Sequence, residues 1–125
     1  MHIIDYFEKL IINNVSINTI KQNHGVIDTL GFIFNNQLAY CTDVVDFPKK
    51  SFNKLNNLKV LIITGLRETP HMAHAHFDLS FEWISNLKPE IAYLTHLSPE
   101  SDHDAVTNLC PPGVLPAYDG LVINI

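Results

Sequence analysis

Apolar residues in this chain fall into short runs broken by polar punctuation, and the period of each run predicts its element. Ile3, Ile4, Phe7, Leu10 and Ile11 recur at helical spacing, which predicts a short amphipathic helix over residues 3–12, broken by Asn13-Asn14. Val15, Ile17 and Ile20 alternate and predict a strand over residues 15–22. Residues 29–34 and 37–42 are two further runs joined by Asn35-Asn36, a step that tolerates positive φ, and they predict a hairpin. Residues 48–55 predict a short polar helix with Pro48 near its first turn.

The second half is more apolar. Residues 58–64 form a run, apolar apart from Lys59 and Thr64 and rich in branched side chains, as expected of a strand covered on both faces. Phe77, Phe81, Ile84 and Leu87 recur every three or four positions, with Trp83 beside them and Pro89 as a stop, so an amphipathic helix is predicted there. Residues 91–95 predict another buried strand, and residues 117–125 a turn at Asp119-Gly120 followed by a last strand. The pattern is α/β with one main sheet. Neither an internal repeat nor a linker divides it, so residues 1–125 are expected to form a single domain.

Three of these runs end on side chains able to bind metal. His24 follows residues 17–22, Asp43 follows Leu38–Thr42, and His96 follows Ile91–Thr95. Each has a commoner use: His24-Gly25 as a plain turn, Asp43 as a loop cap, His96 as a hydrogen-bonded histidine at a sheet edge. Taken together they gain weight, because open α/β sheets place ligands beyond the carboxyl ends of their strands. Nitrogen and oxygen donors converging there suit a divalent ion.

Composition narrows the function classes. The 46% hydrophobic and 17% charged content describe a folded domain, and the net charge of −5 without a basic stripe gives no indication of nucleic-acid binding. No apolar run is long enough to span a membrane, and no basic-then-apolar leader opens the sequence. Cys41 and Cys110 form no C-x-x-C unit and read as reduced thiols, so a cytoplasmic setting is expected. Within its strand, Cys41 reads as a small buried hydrophobe rather than a nucleophile.

Seven histidines are many for this length, and the stretch Pro70–Asp78 holds His71, His74 and His76. His74-x-His76-x-Asp78 resembles the core of a two-metal loop, but Leu79 stands where a further histidine is needed, and Gly65 to Ala73 separate it from its strand. One of these imidazoles can instead serve as a proton donor. The alternative is a polar loop entering a helix, with His76 or Asp78 near its N-cap. Arg67 can meet an anionic substrate or form a surface ion pair.

Several segments in consistent order carry a family resemblance. They are Asn23-His24-Gly25, Thr29–Phe32, Ala39–Asp43, Leu66-Arg67, Pro70-His71, His74, Glu82–Ile84, Tyr93–Leu97 and Pro112–Gly120. Over residues 15–125 the chain resembles the second half of the metallo-β-lactamase-fold hydrolases. The branch it resembles is the phosphodiesterase-like group that includes the cyclic-phosphate phosphodiesterase of phosphonate breakdown. The resemblance implies one sheet-plus-helices half of an αββα sandwich. It implies metal ligation by His24, Asp43 and His96, with Asp43 shared between two Zn or Mn ions. It makes His74 the histidine that protonates the leaving group, with Arg67, His71 and His76 as groups near the substrate or behind the ligands.

The family's N-terminal metal loop, His-x-His-x-Asp-His, is not found in these residues, and His2 stands alone before His24. The family's extra histidine after Leu97 is also missing, since Ser98-Pro99 follow. The resemblance therefore implies a split or truncated hydrolase, holding metal weakly by itself and inactive alone. It would pair with a separately encoded N-terminal half or with itself, and act on a small phosphoester once completed. The competing expectations are a non-catalytic remnant or interaction module of the same fold, and a small metal-binding protein built on the His71–His76 cluster.

Overall fold

A computed structural model describes residues 3–125; His2 lies outside them. The strands are β1 (Lys9–Ile12), β2 (Val15–His24), β3 (Ile27–Phe34), β4 (Leu38–Cys41), β5 (Val60–Thr64), β6 (Ile91–Thr95) and β7 (Val114–Pro116). They form one sheet in sequence order. The first three pairings, β1 to β4, are antiparallel and the last three, β4 to β7, are parallel.

Local chemistry explains the switch. The antiparallel strands are joined by tight turns whose residues take positive φ: Asn13-Asn14, Gly25-Val26 (at Gly25) and Asn35-Asn36. Both asparagines of each Asn-Asn step are at positive φ, the type I′ requirement, while glycine leads the Gly25-Val26 turn, as in type II′. The parallel strands need crossovers, supplied by α1 (Lys49–Phe52, continued by a 3-10 turn at Asn53–Leu55), α2 (Phe77–Leu87) and α3 (His103–Leu109). Helix α2 ends where Lys88 turns left-handed at φ 50°, just before Pro89. Side chains from all three crossovers pack into one core with the same set of strand residues, so the helices lie on one face of the sheet.

That face holds the core. Ile20, Ile33, Ala39, Cys41, Leu61, Ile63, Ala92, Leu94 and Val114 from the strands pack with Val44, Phe47, Leu55, Trp83, Ile84, Leu87 and Val106. Phe47 meets Trp83 edge to face, with ring centroids 4.8 Å apart. On the opposite face a row of large side chains follows the register Phe32–Tyr40–Ile62–Tyr93–Leu115. None of these five is buried. Among the described residues no helix is long and apolar enough to cross a membrane.

Two predicted elements are corrected. Residues 3–12 do not form a helix: Phe7 sits at φ 62° and Lys9–Ile12 pair with Val15–Asn18. The Asn13-Asn14 step is a hairpin turn rather than a helix end, and strand pairing outweighs a four-residue helical period. The turn at Asp119-Gly120 is present, with Gly120 at φ 88°, but residues 121–125 form no strand. The last strand, β7, lies upstream and pairs with Ala92–Leu94, so the chain beyond Ala117 has passed the end of its partner. The other predicted elements are present with shifted ends; β2 runs on to His24 and β5 begins at Val60.

Candidate metal centre

Strand direction gathers the site. β4, β5 and β6 are parallel, and β2 runs the same way because two antiparallel steps separate it from β4. The carboxyl ends of all four therefore share one edge. His24 closes β2, Asp43 follows β4, the His71–His76 loop follows β5 and His96 follows β6. Asp43 (φ 54°) and His96 (φ 62°) both leave their strands in the left-handed region, which residues other than glycine seldom occupy. Such conformations gather at functional sites, where surrounding bonds hold them.

One ligand atom each from His24, Asp43 and His74 lie within 4.8 Å of one another. His74 Nδ1 is 3.9 Å and His96 Nε2 is 4.0 Å from the Asp43 carboxylate. The His74 ring stacks on His96 at 4.6 Å, meets His24 edge-on at 4.5 Å and lies 5.2 Å from His71. Two groups that each sit about 2.1 Å from a shared ion end up no more than about 4.2 Å apart, so the carboxylate-to-imidazole gaps fit an intervening divalent ion. Among the described residues, His74 Nδ1 is one of four buried side-chain polar atoms without a hydrogen-bond partner. A buried nitrogen aimed at a carboxylate across such a gap has the chemistry of a metal ligand.

The backbone explains why these groups meet. Ala75 is fully buried; its N–H donates to the Val44 carbonyl at 2.7 Å, and its carbonyl accepts from Leu66. That stitches the His74 loop to the residue after Asp43. His24 Nδ1 lies 2.8 Å from the Ala73 carbonyl, which anchors the same loop to the end of β2. Burial, and then the neighbouring His96 and His24 rings, push the His74 pKa below its ordinary value, while the Asp43 carboxylate pulls it back up. The ring is thereby biased toward the neutral form that offers a lone pair.

The remaining expected residues fall around this cluster. His71 Nδ1 accepts a bond from the Ala73 N–H at 3.2 Å, which leaves the neutral ring's proton on Nε2. His76 is the N-cap residue of α2, with Asp78 in the first turn, and the His24–Asp43–His74 trio does not include it. Arg67 donates to the carbonyls of Thr69 and Pro70, bracing the loop that leads to His71. Cys41 is fully buried and its thiol pKa is pushed far up, as befits a packing residue. The sequence reading passed over Gln22 and Thr29, which bond the chain around Asp43. Their signal was a polar residue, Gln22, in the inward register set by Ile20.

Residues 1–97 match the beta-lactamase superfamily domain. The chain belongs to that superfamily. No curated protein matches it. Among solved structures it is similar to a diphosphatase from the PhnP family, with 28% identity and a TM-score of 0.92 over 97% of this chain and 47% of that one. It shares the fold of the metallo-beta-lactamase fold protein YhfI from Bacillus subtilis, at 15% identity and TM-score 0.79 over 97% of this chain and 54% of that one. It also shares the fold of Zn(2+)-bound PqqB from Methylobacterium extorquens, at 14% identity and TM-score 0.77 over 98% and 55%. The chain thus spans about half the length of the solved structures it matches. Membership of this superfamily implies metal binding, and the His24–Asp43–His74 group offers donors that could hold an ion.

Proposed function

We propose that these residues form one half of a divalent-metal-dependent phosphoester hydrolase centre. The observation that carries the reading is the convergence of His24, Asp43, His74 and His96 at one sheet edge. The similarity to a diphosphatase supports a phosphate-containing substrate. In this reading His24, Asp43 and His96 would hold Zn or Mn, with Asp43 the carboxylate of the set. When bound, such ions polarise phosphoryl oxygens and acidify water. His24 is oriented for this by its bond to Ala73, and Asp43 supplies the negative charge that the histidines lack. His74 protonates the departing oxygen, and Arg67 and His71 line the approach on the β5 side.

His74 supports a second role. Its partnerless Nδ1 and depressed pKa also suit a direct metal ligand. A leaving group that departs as a stable anion needs no proton donor. A His74→Ala variant of the completed enzyme that hydrolyses bis(p-nitrophenyl) phosphate well but alkyl phosphodiesters poorly supports the acid role. Equal loss on both, with weaker metal uptake, supports ligation.

Ligand number limits the chain acting alone. Three protein ligands spread over two ion positions fall short of the three or four that each ion normally requires. The 125 residues contain no His-x-His-x-Asp-His loop. The open sheet face supports completion by another apolar surface, either a separate N-terminal half or a second copy. Two free thiols fit a cytoplasmic setting. Calorimetric titration of the chain with Zn²⁺ and Mn²⁺ is expected to give weak uptake. Tight binding of two ions by these residues alone would overturn the split-centre reading. The alternative, a non-catalytic interaction module, is distinguished by co-expression with a protein carrying the missing loop: only the hydrolase reading expects phosphodiester cleavage to appear.

A further inference from the structure

Behind Asp43 lies a small polar network formed by Gln22 and Thr29. β4 ends at Cys41, and the next two carbonyls, of Thr42 and Asp43, have left the ladder. Backbone acceptors near a core need donors. Gln22 Nε2 donates to the Thr42 carbonyl at 2.8 Å, and the Thr29 hydroxyl donates to the Asp43 carbonyl at 2.8 Å. The two side chains are register partners across β2 and β3, and Gln22 Nε2 also donates to Thr29 Oγ1 at 3.2 Å. Both carbonyls can only accept, so the amide orientation and the hydroxyl direction are fixed by chemistry.

Gln22 is fully buried. Its amide fits because residue 31 is glycine: a Cβ there would stand 2.5 Å from Gln22 Oε1 and 2.9 Å from Ile20 Cγ1. Sequence and packing have thus placed a polar side chain in the inward register, cleared space for it, and directed its donors at the turn that carries the carboxylate. An apolar residue would fill this position at lower desolvation cost if packing were the only requirement.

We propose that Gln22 and Thr29 are positioning residues that lock Asp43 in its left-handed conformation, so that its carboxylate faces His74 and His96. The inference rests on the metal-centre reading of Asp43 given above. Thr29 is the mild probe, because it is only half-buried and valine keeps its volume while losing the hydroxyl.

Crystal structures of the 125-residue chain as wild type, Thr29→Val and Thr29→Ser read the carboxylate position directly. In Thr29→Val, Asp43 is expected to relax out of the left-handed region and carry its carboxylate out of reach of both rings; Thr29→Ser keeps the wild-type arrangement. Co²⁺ titration, read by absorption, is expected to show roughly tenfold or greater loss of affinity in Thr29→Val and rescue in Thr29→Ser. Gln22→Met, which keeps the shape and loses the donors, is the independent second variant and is expected to behave like Thr29→Val. If Thr29→Val and Gln22→Met leave Asp43 in place and lower only the melting temperature, the proposal is overturned. Absence of any Co²⁺ uptake by the wild type would instead overturn the metal-centre reading, while the crystallographic comparison still decides the positioning role.

Discussion

The Nδ1 atom of His24 sits 2.8 Å from the carbonyl oxygen of Ala73, one residue before His74. A carbonyl only accepts, so Nδ1 carries the ring proton and Nε2 keeps a free lone pair. A single hydrogen bond thus sets the tautomer of one ligand and holds the loop that delivers another. Replacing His24 with alanine removes both effects. We expect His24→Ala to weaken Zn²⁺ uptake about tenfold or more, within the range seen for lost ligand support. Amide exchange in residues 71–75 should also quicken. Unchanged exchange there would separate the tether from the ligand role.

Gly25 makes that approach possible. It sits at φ 75°, and a Cβ would lie 3.1 Å from the Met72 carbonyl oxygen and 3.4 Å from the Ala73 side chain. Gly25→Ala is therefore expected to cost about 1 kcal/mol or more in stability, from backbone strain alone. Chemical denaturation measures it. A neutral result would mean that the turn and the facing loop can both move aside.

Stability of the metal-free chain should depend on pH through His74. Its folded-state pKa lies below the ordinary 6.5, first because it is buried and then because His96 and His24 lie beside it. The folded state accordingly binds fewer protons than the unfolded chain between that depressed value and 6.5. Stability is full above pH 6.5 and falls as pH drops through the window toward the folded pKa. Melting temperature should decline on acidification from pH 8 into that range, and His74→Asn should flatten the decline. Equal slopes in the two proteins would assign the pH dependence to other groups.

Much of this was legible in the sequence, for identifiable reasons. Ile91–Thr95 and Phe77–Leu87 are unambiguous because a buried run and a sustained helical period admit one element each. His24, Asp43 and His96 were findable because each ends an apolar run, and strand ends that share an edge bring such residues together. Residues 3–12 misled because helical spacing and a short strand cannot be told apart without knowing that Asn13-Asn14 closes a hairpin. The direct contact of His74 with His24, Asp43 and His96 is visible only in space, since Ala75 ties its loop to Val44 by backbone bonds that leave no side-chain trace. Gln22 and Thr29 act through main-chain carbonyls, and the inward polar register of Gln22 is the one trace they leave in the sequence.

The two thiols should differ in reactivity. Cys41 is fully buried within β4, and burial drives its pKa well above the ordinary range. Cys110 is partly accessible beyond α3, with a smaller upward shift from the same cause. Alkylation of the native chain should label Cys110 slowly and leave Cys41 unmodified until denaturant is added. Mass spectrometry of the labelled peptides checks this. Native labelling of Cys41 would show that β4 opens locally.

The sheet's two faces offer the last prediction. Leu61 and Ile62 are neighbours on β5, yet they point opposite ways. Leu61 is fully buried in the helix-covered core, while Ile62 lies in the open row between Tyr40 and Tyr93. Tyr40 and Leu115 in that row remain 40% and 43% exposed. A run of apolar side chains across five strands favours burial against another surface. Leu61→Ala should therefore cost about 2–5 kcal/mol through the cavity it leaves, with little effect on association. Ile62→Glu should do the reverse, sparing most of the stability and shifting the chain toward monomer in light scattering. A wild-type chain that stays monomeric at micromolar concentration would exclude the second copy as occupant. The row would then await a different protein, for which Ile62→Glu should abolish co-purification with a co-expressed partner carrying the His-x-His-x-Asp-His loop.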